Sequence, residues 1–123
     1  MTERTTHLIV EYTHNIDSQA DIPTLLENAN RILTGALPAG GAVVARAYEL
    51  QDYHMADGQA DYAFVHATLR VGAGFTEEVK RQASEAVFNM FKQHFAPLYA
   101  SRYLALSMEL VETAGERSAR INA

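Results

Sequence analysis

Alternation of apolar and polar positions predicts four β-strands along the chain. The longest alternating run is Tyr62–Val71, and shorter runs with β-branched or apolar centres cover His7–Tyr12, Val43–Leu50 and Tyr103–Val111. Within the longest run the small and aliphatic side chains share one side: Ala63, Val65, Ala67, Leu69 and Val71. A strand with this pattern covers a core on one face only.

Two segments repeat apolar residues at helical spacing instead. The first follows Asp21, which we expect to be the N-cap with Pro23 in the first turn, and Gly35 is expected to end it as the C′ residue. The second follows Thr76 as N-cap, and Pro97 should interrupt or restart it. Its apolar stripe is Val79, Ala83, Ala86, Val87, Met90, Phe91, Phe95 and Leu98.

The remaining segments are expected to connect these elements. Thr13–Ala20 is interpreted as a polar loop, Gln51–Ala60 as a loop with a turn at Asp57-Gly58, and Gly72–Gly74 as a tight turn. The order is strand–helix–strand twice, which predicts an α/β (α+β) domain with a four-stranded sheet and both helices on one face. We expect one domain over residues 1–123, with an N-terminal extension at 1–5 and a loose tail at 113–123.

The sheet face without helices carries more aromatic side chains than a solvated surface normally does. Tyr62, Phe64 and His66 alternate along one strand of this face, and Tyr103 lies on another. The simpler interpretation is a subunit interface, and the more specific one is an interface that also holds a ligand site.

Composition narrows the possible partners. The 123-residue chain has 48% hydrophobic residues, a net charge of −5 and no cysteine. The acidic balance argues against nucleic acid as a partner, and the missing thiol excludes disulfide chemistry. The polar start and the lack of a long apolar run favour a cytoplasmic protein that does not bind membranes.

The usual catalytic motifs are not found in the sequence. No two of the five histidines have the spacing of metal ligands on a helix, so no metal is expected. We interpret His66 as an interface residue and His94 as a cation at a helix C-terminus. Gly72–Gly74 lacks the rest of a phosphate-binding loop, and Ser101 and Ser107 lack the setting of a nucleophilic serine.

A stretch in the middle of the chain identifies a family. Met55-Ala-Asp-Gly-Gln59, with the segments Asp61–His66 and Gly72–Gly74 that follow it, resembles the 5-carboxymethyl-2-hydroxymuconate delta-isomerases of the tautomerase superfamily. The similarity runs from about Thr6 to Glu112. It implies a duplicated β-α-β fold, a homotrimer and active sites where subunits meet. It also implies a bacterial isomerase of aromatic catabolism that moves a proton along an unsaturated keto/enol acid without a cofactor.

The sequence departs from this family at three positions that carry the chemistry. The family uses a proline amine at the start of the first strand as its base, and that position is Thr6 here. Two family arginines that hold substrate carboxylates are replaced by Val44 and Phe75, whereas Arg46 is kept. An amide nitrogen in mid-chain is not basic, so Thr6 cannot take the proton.

Two functional hypotheses follow. In the first, the protein is an isomerase or tautomerase in which Arg46 binds a carboxylate, and the free N-terminus or His7 serves as base. The pocket walls would then be Val44, Phe64 and Phe75, with Thr6 as a pocket residue only. In the second, the protein is a non-catalytic or ligand-binding trimeric paralogue whose pocket takes an apolar ligand. Arg46 itself could equally be an ordinary ion-pair partner.

Overall fold

The fold is a four-stranded sheet with helices packed against one side. The computed structural model of the chain describes residues 5–38 and 41–113. The strands are β1 (Thr6–Thr13), β2 (Val43–Leu50), β3 (Ala63–Gly72) and β4 (Leu104–Thr113). The helices are a 3₁₀ turn at His14–Ile16, then α1 (Asp17–Ala20), α2 (Ile22–Ala36), α3 (Glu77–His94) and α4 (Ala96–Tyr99).

The sheet has the strand order β2-β1-β3-β4 and mixed direction. β1 and β2 are parallel, β3 and β4 are parallel, and the two halves join through the antiparallel pair of β1 and β3. This is the duplicated β-α-β arrangement that the sequence predicts, with the two halves side by side in one mixed sheet.

The hydrophobic core lies between the sheet and the two long helices. All five small or aliphatic positions of β3 that were predicted to share a face are 0% exposed: Ala63, Val65, Ala67, Leu69 and Val71. Leu25, Ala29 and Leu33 of α2 face them, together with Ala83, Val87 and Phe91 of α3. The prediction of one buried face is therefore confirmed at residue level.

The segment before α2 differs from the prediction. In the predicted loop Thr13–Ala20, Thr13 is the last residue of β1, and the rest is a 3₁₀ turn followed by the four-residue helix α1. Ile16 and Ala20 are buried in the core, so packing rather than local preference forms these turns. Asp21 is also not the side-chain N-cap we expected: it adopts a left-handed conformation with φ 46° and its side chain makes no capping hydrogen bond.

The ends of the other helices follow the prediction in part. Gly35 does not end α2, which continues to Ala36 and is followed by an extended Leu37. Thr76 caps α3 as predicted, since its Oγ1 accepts a hydrogen bond from the Val79 amide at 3.1 Å. A new helix, α4, begins next to Pro97, as expected.

The second sheet face is open in the single chain. Alternation places His7 and Ile9 of β1, Val44, Arg46 and Tyr48 of β2, and His66 and Arg70 of β3 on it. We call this surface the open face. Val44 and Tyr48 are 38% and 51% exposed, which agrees with the expectation of an uncovered face. β4 continues to Thr113, which was expected to begin the loose tail at 113–123. Residues 1–4 of the predicted extension at 1–5, and the tail from 114 onward, lie outside the described residues.

Candidate functional site

Strand pairing brings a histidine and two arginines together on the open face. His7 lies opposite Val44 in the parallel pair with β2, and opposite Arg70 in the antiparallel pair with β3. Arg46, two residues beyond Val44, reaches back so that its Nη1 lies 3.1 Å from Nδ1 of His7. We call His7, Arg46 and Arg70 the cationic cluster.

The contact between Arg46 and His7 fixes the state of the imidazole. A guanidinium can only donate, so Nδ1 of His7 accepts and Nε2 carries the proton. Burial lowers the pKa of His7, and the positive charges of Arg46 and Arg70 lower it further. His7 is therefore neutral at pH 7, with one nitrogen that can accept a proton and one that donates.

Arg46 is held in place from two sides. Its Nε donates to the Tyr48 hydroxyl at 3.2 Å while Nη1 contacts His7. Both partners are neutral, so the guanidinium keeps a charge that no carboxylate neutralises through these two contacts. A carboxylate arriving on the open face would meet two arginine charges and the imidazole N–H.

The other predicted site residues lie in different places. Val44 is on the open face beside His7, next to the cationic cluster. Thr6 is 1% exposed, and its amide donates to the Ala42 carbonyl at 3.1 Å. Phe75 is 8% exposed and belongs to the hydrophobic core. The roles of Val44, Thr6 and Phe75 in a pocket stay predictions.

Phe64 lies on the open face at the other end of β3. It is four residues before Thr68, which pairs with Ile9, and Ile9 pairs with Arg46. At the rise of a β-strand this puts Phe64 roughly 13 Å along the sheet from the level of Arg46. Its ring contacts Tyr53 edge to face, with centroids 6.1 Å apart. Within one chain the structure thus separates Phe64 from the cationic cluster, and its role stays a prediction for the assembled protein.

Arg70 is the site residue that the sequence interpretation missed. Alternation along β3 puts Arg70 on the face without helices, but alternation alone does not give the register of β3 against β1. The antiparallel pairing of His7 with Arg70 is a long-range contact, and only that pairing puts the second cation into the cluster.

A second polar group occupies the far part of the open face. His66 Nδ1 lies 2.7 Å from Ser107 Oγ, and its Nε2 lies 3.1 Å from Glu109 Oε1. Both ring nitrogens therefore have partners on the neighbouring strand. His94 lies in the last turn of α3, as the sequence predicts, and its Nε2 lies 2.6 Å from the Ala20 carbonyl, which joins α3 to α1.

A groove at the opposite end of β1 is acidic. It has a volume of about 570 Å³ and includes Tyr12, Asp17 and Asp21 in its lining. The Tyr12 hydroxyl donates to Asp17 at 2.9 Å, and burial together with this contact raises the pKa of Tyr12 to about 12. Negative charge here would repel an anionic substrate, in contrast to the cationic cluster.

Two further properties concern the described residues as a whole. In residues 5–38 and 41–113 no group of three or more histidine, cysteine or acidic side chains is arranged to hold a metal ion. No helix within these ranges combines the length and apolarity that crossing a membrane requires.

Comparison with known proteins identifies one family of isomerases. The family described as 5-carboxymethyl-2-hydroxymuconate isomerase matches residues 6–123. The 5-carboxymethyl-2-hydroxymuconate Delta-isomerase of Escherichia coli is 46% identical over 108 residues, which cover 86% of this chain and 85% of that protein.

Solved structures agree with this result. The crystal structure of a 5-carboxymethyl-2-hydroxymuconate isomerase from Deinococcus radiodurans R1 is 38% identical, with a TM-score of 0.89 over 96% of this chain and 90% of that one. A further 5-carboxymethyl-2-hydroxymuconate delta-isomerase structure is 26% identical, with a TM-score of 0.85 over 95% and 88% of the two chains. A fused 4-OT structure, 23% identical with a TM-score of 0.63 over 89% and 88%, shares the fold.

Proposed function

The chain belongs to the 5-carboxymethyl-2-hydroxymuconate isomerase family, and we propose that it isomerises a small unsaturated keto/enol acid without a cofactor. The observation that carries the proposal is the cationic cluster, in which Arg46 and Arg70 flank a neutral His7 on the open face. Keto–enol isomerisation of an acid needs a cationic group for the carboxylate and a neutral base for the carbon-bound proton. The cluster contains both kinds of group.

The surroundings of the cluster favour a substrate with one carboxylate and an apolar arm. Val44 lies beside His7 and presents an exposed apolar side chain at the edge of the cluster. An arm that packs on Val44 gains roughly 25 cal/mol for each Å² of apolar surface removed from water.

The proposed assembly is a homotrimer with the open face turned toward neighbouring subunits. Exposed Val44 and Tyr48 support burial of this face, and the fused 4-OT neighbour is described as a symmetric trimer. Sedimentation equilibrium should give three times the chain mass. A stable monomer at micromolar concentration would contradict this part of the proposal.

Turnover tests the function directly. The purified protein should be given 5-carboxymethyl-2-hydroxymuconate and, separately, phenylenolpyruvate, and the change in absorbance compared with buffer. Replacement Arg46→Met removes a charged hydrogen bond to the carboxylate that is worth about 1.5–3 kcal/mol, so kcat/KM should fall about 10- to 150-fold. Arg31→Met is the matched control, because Arg31 is exposed on α2 and contacts Asn28. A rate equal to buffer with both compounds would refute the isomerase proposal.

One observation favours a second candidate, a ligand-binding trimer without catalysis. The backbone amide of Thr6 donates a hydrogen bond to the Ala42 carbonyl. Thr6 aligns with the family's catalytic proline, so at this position the backbone nitrogen pairs with a neighbouring segment and is not a free amine. This candidate predicts binding without turnover. Saturable binding of cinnamate, with no isomerisation of either test compound, would support it.

A further inference from the structure

The inference concerns which group moves the proton, and it rests on the proposed function. We propose that His7 carries the proton, and that the substrate carboxylate releases it for this role by drawing Arg46 away from Nδ1. The geometry is that of a blocked base: the only nitrogen of His7 with a lone pair for a proton is the one that Arg46 occupies at 3.1 Å.

Arg46 is placed to change partners. Its Nη1 holds His7 and its Nε holds Tyr48, so both contacts are hydrogen bonds to neutral acceptors. Hydrogen bonds between a guanidinium and a carboxylate are about twice as strong as those to neutral groups and are often bidentate. A bound carboxylate therefore competes successfully for Arg46, and Nδ1 becomes free beside the substrate.

The proton transfer balances without a co-reactant. Nδ1 takes a proton from a carbon next to the carbonyl, so a C–H bond breaks, an N–H bond forms, and the electron pair passes into an enolate. The same proton then returns from Nδ1 to a different carbon, which restores neutral His7 and leaves the double bond in a new place. Nothing is oxidised or reduced.

The charges around His7 favour its neutral form before the substrate binds and allow its charged form afterwards. The charged groups that face it are Arg46 on β2 and Arg70 on β3, whereas Tyr48, Glu11 and Glu109 lie further along β2, β1 and β4. Without a ligand the two arginines disfavour a charged imidazole, and they lower the pKa of His7 after burial has done so. When the carboxylate and the enolate are present, their negative charges offset the arginines and the imidazolium becomes accessible.

His66, the other histidine of the open face, has no ring nitrogen that a carboxylate could release in this way. His66 is held at both nitrogens, by Ser107 at 2.7 Å and by Glu109 at 3.1 Å, on the strand away from the cluster. No contact in that group involves a cation that a carboxylate could draw away. His7 is therefore the better placed of the two imidazoles.

The first test replaces the imidazole with a group that keeps the hydrogen bond. In His7→Asn the amide oxygen can still accept from Arg46 but cannot take a proton. We expect kcat to fall about 10²- to 10⁴-fold, as for loss of a general base, while cinnamate binding changes less than about threefold. His54→Asn is the control, because His54 is exposed in the 51–60 loop, and the kcat of this variant should match wild type. A His7→Asn protein that retains wild-type kcat overturns the inference and leaves the isomerase proposal standing.

The second test needs no turnover. In ¹⁵N-resolved NMR spectra, Nδ1 of His7 should have the signal of an unprotonated acceptor, and saturating cinnamate should shift it as Arg46 leaves. Arg46→Met should abolish that shift. An unchanged Nδ1 signal in wild-type protein saturated with cinnamate would overturn the release step. A wild-type protein without turnover would refute the proposed function, and the inference with it.

Discussion

The two faces of the sheet are formed by the same four strands, but one is buried and apolar and the other is open and carries charged side chains. On the helix-covered face of β1, Leu8 and Val10 are 0% exposed and pack against α2 and α3. On the open face of the same strand, His7 contacts a charged side chain and Ile9 lies opposite Arg46. One residue of offset along β1 therefore separates a position that stabilises the fold from one to which we assign ligand binding.

The two faces also differ at the start of β1. Thr6 lies on the covered side and is buried, so its side chain packs in the core while its amide joins the sheet. Its neighbour His7 points to the open face. A threonine at position 6 is therefore compatible with the covered face, and the open face has an ionisable group one residue away.

The largest expected effect is on the covered face. Phe91→Ala removes a 0% exposed ring that contacts Phe95, and such truncations cost about 3–5 kcal/mol. Urea unfolding followed by circular dichroism, at one fixed protein concentration, would measure it. Phe91→Leu is the milder control and should cost less.

The matching open-face change is Tyr103→Ala. Tyr103 is 57% exposed and contacts Tyr62 edge to face, so its removal should cost about 1 kcal/mol or less. If Tyr103→Ala were as destabilising as Phe91→Ala, Tyr103 would have to be buried against a neighbouring subunit in the proposed trimer. A cost of about 1 kcal/mol or less would place Tyr103 outside that interface.

A smaller effect concerns the charge balance of the open face. Arg70→Gln removes one of the charges that lower the pKa of His7, so that pKa should rise toward its ordinary value. Because the unfolded chain binds the His7 proton at higher pH than the folded one, wild-type stability should fall as pH drops below about 6.5. Arg70→Gln should weaken this dependence. NMR titration of His7 would measure the pKa, with His54 in the same spectra as reference.

A His7 pKa that stayed the same in Arg70→Gln would contradict the electrostatic description of the cluster. Arg102→Gln provides the control, since Arg102 contacts Asn15 and Asp61 away from His7. It should leave the His7 titration unchanged.

Sequence patterns predicted the strands and the covered face well because burial imposes a strict period. The alternation in β3 and the Thr76 cap are local features, readable from a few neighbouring residues. α1 could not be predicted in this way, because the burial of Ile16 and Ala20 depends on distant parts of the chain. The same holds for the left-handed backbone of Asp21.

The candidate site was only half predictable for a related reason. Arg46 came from the family resemblance and His7 from its place next to Thr6. Arg70 required the pairing of β1 with β3, which a single sequence does not specify. The acceptor role of Nδ1 in His7 required the path of the Arg46 side chain.

The smallest expected effect is a gain in stability on the outside of the helical layer. Gly35 is within α2, and a methyl group added to it would meet no atom within 4 Å. Gly35→Ala should therefore stabilise the protein by up to about 1 kcal/mol, because alanine lowers the entropy of the unfolded chain and favours helix. Urea unfolding would measure the gain, and turnover should stay the same because the open face is untouched.

Gly58→Ala is the matched control for this substitution, and it should destabilise the protein. Gly58 has φ 69°, and a methyl group there would lie 2.8 Å from Nε2 of His54. Alanine in left-handed backbone costs about 1–2 kcal/mol before that clash is relieved. If Gly35→Ala were destabilising as well, the end of α2 would have to be covered in the assembled protein. The helical layer would then share the role of interface that we assign to the open face.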